Sequence, residues 1–123
     1  MEPRVDRVIR LMTVDLKREI PLDELARSVN LSVFRLQHLF KAETGTSPLQ
    51  YLKAQRLLKA RELLEITFLN LKEVLHKVGF RDRSHFAKDF KKHFGVPPLR
   101  YRNQYLLMKQ QKSLNERART ASR

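Results

Sequence analysis

The sequence predicts an all-α protein: seven helices in two matched halves, with one long helix between them. Three observations carry that prediction. Strand-type alternation of Val, Ile and Thr is nowhere sustained, whereas apolar residues recur at helical spacing. Only three glycines and five prolines occur among the 123 residues, and together they punctuate the chain into helical segments. The spacing of apolar and punctuating residues in the first half then returns in the second.

The first helix is expected over residues 5–17, where Val5, Val8, Ile9 and Met12 form one stripe. The second covers 22–29. The third starts after Ser32, a good N-cap, and ends before Gly45. The fourth opens on Ser47 and Pro48, a cap followed by proline at the first helical position, and continues to about Ile66 as the longest helix. The fifth begins with Asn70-Leu71-Lys72-Glu73, a capping-box pattern with Asn in the Ser/Thr place, and closes at Gly79. The sixth follows Asp82 and ends before Gly95, and the seventh runs from Pro98 through Leu107. Residues 113–123 are polar, basic and rich in small side chains, so disorder is expected there. The domain reading is one unit over 1–112: a first half at about 5–46, the linker helix at about 47–67 and a second half at about 70–107.

The halves match in detail. Leu25, Val29 and Leu31 correspond to Val74, Val78 and Phe80 at an offset of 49. Leu36, Phe40, Gly45, Pro48 and Tyr51 correspond to Phe86, Phe90, Gly95, Pro98 and Tyr101 at an offset of 50, which places one extra residue near Arg81 and Asp82. Each copy reads as short helix, tight turn, longer helix, which is a helix-turn-helix unit. The turn needs a residue that tolerates positive φ. Gly79 supplies it without steric cost, and Asn30, the next best left-handed residue, stands there in the first copy. Leu31 and Phe80 are expected to plug the corner. Ala26, Ala42, Ala60 and Ala87 read as small residues at helix crossings.

Charge narrows the partners. Lys and Arg number 26 against 13 Asp and Glu, a net charge of +13. That excess favours a polyanion: nucleic acid first, an anionic membrane second, an acidic protein third. Cysteine is absent, which removes disulfides, thiolate metal sites and cysteine nucleophiles. No apolar run approaches the roughly 18 residues of a membrane span, and the N-terminus lacks a signal-peptide stretch. A cytoplasmic protein without a membrane partner is expected. His38, His76, His85 and His93 lack ligand companions and spacing, so no metal and no other cofactor is expected. There is no Gly-rich phosphate loop and no Ser-His-Asp arrangement, and an enzyme is not expected. A basic RNA-binding or ribosome-associated helical protein would share the charge, but it has no need of two identically spaced turn-and-helix units. A membrane-surface protein would need wide apolar faces on basic helices.

Over residues 22–102, roughly two-thirds of the chain, the sequence resembles the DNA-binding domain of AraC/XylS-type transcription regulators. The resemblance rests on Leu22-Asp23-Glu24-Leu25-Ala26, Leu31-Ser32, Leu36 to Lys41, Gly45 with Ser47-Pro48, Tyr51-Leu52, Arg56 and Ala60. Its stronger part is Val78-Gly79-Phe80, Ser84-His85-Phe86, Phe90-Lys91, His93 to Val96, Pro98 and Tyr101-Arg102. Asn30 departs from the usual Gly of the first turn, and Pro97 from the common Ser before Pro98. The resemblance implies two helix-turn-helix units whose third and sixth helices enter successive major-groove segments of double-stranded DNA. It also implies RNA polymerase as a partner if the chain activates transcription. No effector-binding or dimerisation domain stands ahead of Val5, so a small stand-alone regulator or an excised C-terminal domain is expected.

Helical geometry at about 100° per residue then sorts the side chains. In the third helix Leu36, Leu39, Phe40 and either Ala42 or Glu43 set the inner side, and Phe34, His38 and Lys41 point outward with Gln37 on the flank. In the sixth, Phe86, Phe90 and Phe94 form the core stripe, and Ser84, Lys88, Lys91 and Lys92 face away. The resemblance assigns base contacts to the outward row of the third helix, Phe34, Gln37 and His38, and base or phosphate contacts to Arg83, Ser84 and Lys88. Lys41, Lys53, His85, Lys91 and Lys92 suit phosphate, which positions a protein without reading sequence. Phe34 lies about 200° from Leu36 and is expected to meet a thymine methyl.

Overall fold

The computed structural model describes residues 1–121. It contains seven helices: α1 (Pro3–Thr13), α2 (Leu22–Ser28), α3 (Val33–Thr44), α4 (Pro48–Ile66), α5 (Leu71–Val78), α6 (Arg83–Phe94) and α7 (Pro98–Ala121). No strand occurs among the described residues.

Local chemistry sets most of the boundaries. Ser32, Ser47 and Asp82 each cap a helix by accepting the N–H of Arg35, Gln50 and His85 respectively, at 3.0–3.2 Å. Asn70 and Glu73 form the reciprocal capping box, at 2.9 and 3.2 Å. Both tight turns close with a bond from the residue just past the turn back to the last turn of the helix. Leu31 N donates to Ala26 O at 2.9 Å, and Phe80 N donates to Leu75 O at 3.0 Å. The residue that turns the chain has φ of 58° at Asn30 and 88° at Gly79. The extra residue of the second turn is Arg81, which stands between the plug Phe80 and the cap Asp82.

Two helices end where the sequence did not place them. α1 stops at Thr13 instead of continuing to Lys17. Asp15 accepts the backbone N–H of Lys17 at 3.1 Å, a local turn that competes with helix, and residues 14–21 become a connection. α7 does not end at Leu107 but continues to Ala121, so the expectation of disorder over 113–121 is overturned; Ser122 and Arg123 lie outside the described residues. Beyond Pro98 the chain has no Gly or Pro, and Leu, Met, Lys, Gln, Arg, Glu and Ala carry the helix on propensity. The Gln111–Asn115 bond at 3.2 Å adds a side-chain link one turn apart. Every described residue from 106 onward is exposed, so the polar composition foretold solvation and not conformation.

There are two cores. Val5, Val8, Met12, Leu25, Ala26, Val29, Leu36, Phe40 and Leu52 fill the first. Leu57, Ala60, Leu63, Leu64, Leu71, Val74, Leu75, Val78, Phe86 and Phe90 fill the second, with Phe80, Phe94 and Tyr101 at its margin. α4 contributes its first turns to one core and the rest to the other, so a single helix about 28 Å long joins two heads. Ala26 and Ala60 are buried at crossings as expected, Ala87 is half-buried, and Ala42 is exposed. The Arg102 guanidinium donates to the carbonyls of Leu64, Thr67 and Leu69 at 2.6–3.3 Å and holds the α4–α5 connection shut.

Candidate nucleic-acid interface

Burial along α3 and α6 follows the same pattern fifty residues apart. Leu36 and Phe40, like Phe86 and Phe90, are fully buried, and Thr44 and Phe94 close each stripe half-buried. The inner side of α3 is thus finished by Thr44, whose hydroxyl donates to Phe40 O at 2.8 Å, and not by Ala42 or Glu43, which are both exposed. An i, i+4 row sets this face, which places position 44 below position 40.

The opposite rows reach solvent. On α3, Phe34, Arg35, Gln37, His38 and Lys41 are exposed. Phe34 is 69% exposed, and its ring lies against the His38 ring, with centroids 4.1 Å apart. His38 Nδ1 is 2.9 Å from Phe34 O. A carbonyl only accepts, so Nδ1 carries the proton, and in the neutral ring Nε2 faces outward as an acceptor. A shallow groove beside this pair is lined by Arg4, Leu31, Phe34, Arg35, His38 and Leu39. On α6, Arg83, Ser84, His85, Lys88, Lys91 and Lys92 are all exposed. Arg83 is the first residue of α6 and is exposed there.

Lys53 behaves differently from the other predicted phosphate contacts. Its Nζ sits 2.7 Å from Asp89 Oδ2, on a carboxylate only 16% exposed, so its charge is neutralised within the protein. His85 Nε2 lies 3.7 Å from the same oxygen and stays exposed on its other side. Asp89 and its tie to the linker were absent from the sequence reading, because no periodicity argument links residues 53 and 89. Arg35 was also missed, although the offset of 50 pairs it with His85 and would have found it. Arg4 comes from a helix outside the repeat and left no such signal.

Cations of the interior are separate from those of the surface. Arg56 Nε donates to Leu16 O at 2.8 Å, and burial holds the guanidinium below its ordinary pKa, with Glu19 opposing that shift and Arg81 reinforcing it. No helix among the described residues is long and apolar enough to cross a membrane, and no group of His, Cys, Asp and Glu there could hold a metal ion.

A family model described as a helix-turn-helix domain matches residues 25–104. The regulator GbdR of Pseudomonas aeruginosa is 38% identical over 97 residues, covering 79% of this chain and 26% of that protein, so the chain spans about a quarter of that relative. The DNA-binding domain of AdpA, solved in complex with a target DNA, superposes with a TM-score of 0.81 at 29% identity, over 88% of this chain and 97% of that one. An AraC-type DNA-binding protein from Chromobacterium violaceum superposes at 0.78 with 30% identity, over 85% and 93% of the two chains. With two capped helix-turn-helix units, one linking helix and these matches, the chain belongs to the AraC/XylS family of helix-turn-helix transcription regulators and corresponds to its DNA-binding domain.

Proposed function

We propose that the chain is a two-headed reader of double-stranded DNA that regulates transcription in a bacterial cytoplasm, with α3 and α6 in successive major-groove segments on one face of the duplex. The observation that carries this is the matched burial of the two helices. The same positions are sealed in each, and the same outward row is left free: Phe34, His38 and Lys41 in one, Ser84, Lys88 and Lys91 in the other. Base readout falls to Phe34, Gln37 and His38 at one end of the site and to Arg83, Ser84 and Lys88 at the other. Lys and Arg suit guanine edges, Gln suits adenine, and the apolar ring suits the thymine methyl. Lys41, His85, Lys91 and Lys92 take phosphates, with Arg35 beside them. Lys53 reaches a phosphate only by leaving Asp89. RNA polymerase is the further partner if the regulator activates.

Selection of bound duplexes from a random library tests the reading. The expected product is a long asymmetric site with two blocks centred about one helical turn, roughly 10 base pairs, apart. A single short block overturns the two-headed reading. Equal retention of structured RNA in the same assay favours the RNA-binding alternative.

A further inference from the structure

Among the described residues the two cores share no buried side chain, and α4 runs between them. α4 is a single connection, and long helices curve, so a second contact between the heads would fix their relative angle more tightly. One place in the structure supplies a brace. The Arg56 side chain, midway along α4, donates from Nε to Leu16 O at 2.8 Å, across 40 residues of chain. Leu16 belongs to the 14–21 connection of the first head. The same carbonyl stands 2.7 Å from where a Cβ on Gly79 would lie, with Lys17 Cα at 3.0 Å and Arg56 Nε at 3.1 Å. Gly79 is the turn of the second head. Backbone of the first head, the guanidinium of the linker and backbone of the second head therefore meet at one point. The bare Cα of Gly79 is what lets them close.

Two further contacts surround the junction. Lys53 and Asp89 tie the linker to α6 at 2.7 Å. Arg81 and Glu19 face each other across the heads at 3.9 Å, both largely exposed and so contributing little. Arg81 is the residue by which the second turn exceeds the first, which makes this contact a departure from the repeat.

We propose that Arg56 and Gly79 form a three-way junction that fixes the angle between α3 and α6, so that the protein selects the spacing between its two half-sites as well as their sequence. Arg56 is a positioning residue in this scheme, and it acts on DNA through the two heads. The inference rests on both heads engaging one duplex.

The test uses the full chain and the bipartite duplex obtained by selection, remade with one base pair added or removed between the blocks. One base pair rotates the second block by about 34° and shifts it by about 3.4 Å, so a braced protein should lose at least about tenfold in affinity for either change. Arg56→Ala should lose less than about threefold for the same changes, while its base preferences within each block stay those of the wild type. Arg56→Lys keeps the charge without the Nε donor and should flatten the spacing profile in the same direction. It also supplies the reading if circular dichroism shows Arg56→Ala unfolded. A folded variant with the wild-type spacing profile overturns the inference. So does a wild type that tolerates both altered spacings, and in either case the DNA reading stands. A wild type that selects no duplex sequence at all refutes that reading itself.

Discussion

The two recognition helices have the same frame and different faces. α3 carries Arg35 and Lys41 against Glu43, one net positive charge, and presents a stacked Phe34–His38 pair. α6 carries Arg83, Lys88, Lys91 and Lys92 against Asp89, three net positive charges, with Ser84 where α3 has Phe34. The interiors differ as well. Behind α6, Phe80, Phe86, Phe90, Phe94 and Tyr101 form a chain of ring contacts with centroids 4.6–6.4 Å apart. Behind α3 the core is aliphatic apart from Phe40, which meets Tyr51 edge-on at 5.5 Å. A repeat thus keeps positions and lets side chains diverge. On the proposed reading, the second head would hold DNA mainly through charge, and the first would contribute more apolar contact.

The interior contrast gives the largest expected effect. Phe90→Ala should cost roughly 3–5 kcal/mol of folding stability. Phe40→Ala should cost less, because Phe90 forfeits three ring pairs, worth about 0.5–1.5 kcal/mol each, against the one that Phe40 makes with Tyr51. Urea melts of both variants check this, and equal losses would show that the aromatic chain adds nothing beyond burial. A folded Phe90→Ala protein that fails to bind DNA would mean that α6 is rotated from its assigned face.

The readout contrast comes next. Lys88→Ala should relax preference at one end of the site only, by roughly 1–3 kcal/mol for the favoured base. Substitutions at Gln37 or His38 should act at the other end, about one helical turn away. If binding-site selections with both sets changed at the same base pairs, the two heads would not be separate readers.

Much of this was legible in the sequence, for a physical reason. Helix starts depend on residues within three positions of each other, so Ser32, Ser47, Asn70 and Asp82 could be read directly. The exposed rows of α3 and α6 followed from 3.6-residue periodicity against the Phe and Leu stripes. Contacts between elements left no such trace. The pairing of Lys53 with Asp89, and those of Arg56 and Arg102 with backbone carbonyls, join residues 33–40 positions apart. Lys53, read from the sequence as a phosphate contact, is therefore paired with a carboxylate of the protein instead. The end of α7 was misjudged because composition reports burial, and a helix can persist without it.

That internal use of cations sharpens the electrostatic contrast. Lys91→Ala and Lys92→Ala should each weaken all duplexes alike and flatten the plot of log K against log salt by about one unit. Lys53→Ala should leave the slope nearly unchanged, since its charge faces Asp89. A full unit lost there would return Lys53 to the phosphate contacts. Tyr101 offers a smaller contrast with its repeat mate Tyr51. Burial first, and then the Glu65 carboxylate that its hydroxyl donates to, push Tyr101 up to about 12. The unfolded value is near 10, so this contribution is complete below about pH 10 and is lost as pH rises from there toward 12. Tyr101→Phe should cost about 1 kcal/mol at neutral pH and abolish that alkaline loss, whereas Tyr51→Phe provides the matched control. Denaturation midpoints at pH 8 and pH 11 distinguish them.

Phe34 is where the heads differ most and where the stability effect should be smallest. Its ring is outside the first core, exposed to 69%, and packs against His38 on the same helix. Phe34→Ala should therefore keep folding stability within about 0.5 kcal/mol, as for other surface changes. The consequence should appear in binding. On the proposed reading the ring would meet a thymine methyl, and it packs against the His38 imidazole, whose Nδ1 is held by Phe34 O. Removing it should lower discrimination between thymine and uracil, which lacks the methyl, at one position, and should blur the preference at the base that His38 reads. Ser84→Ala at the matched place in α6 removes a permissive hydroxyl and should change selectivity less. A large stability loss with unchanged base preference would instead place Phe34 among the packed residues of the first head, and the division of labour between the two helices would then rest on charge alone.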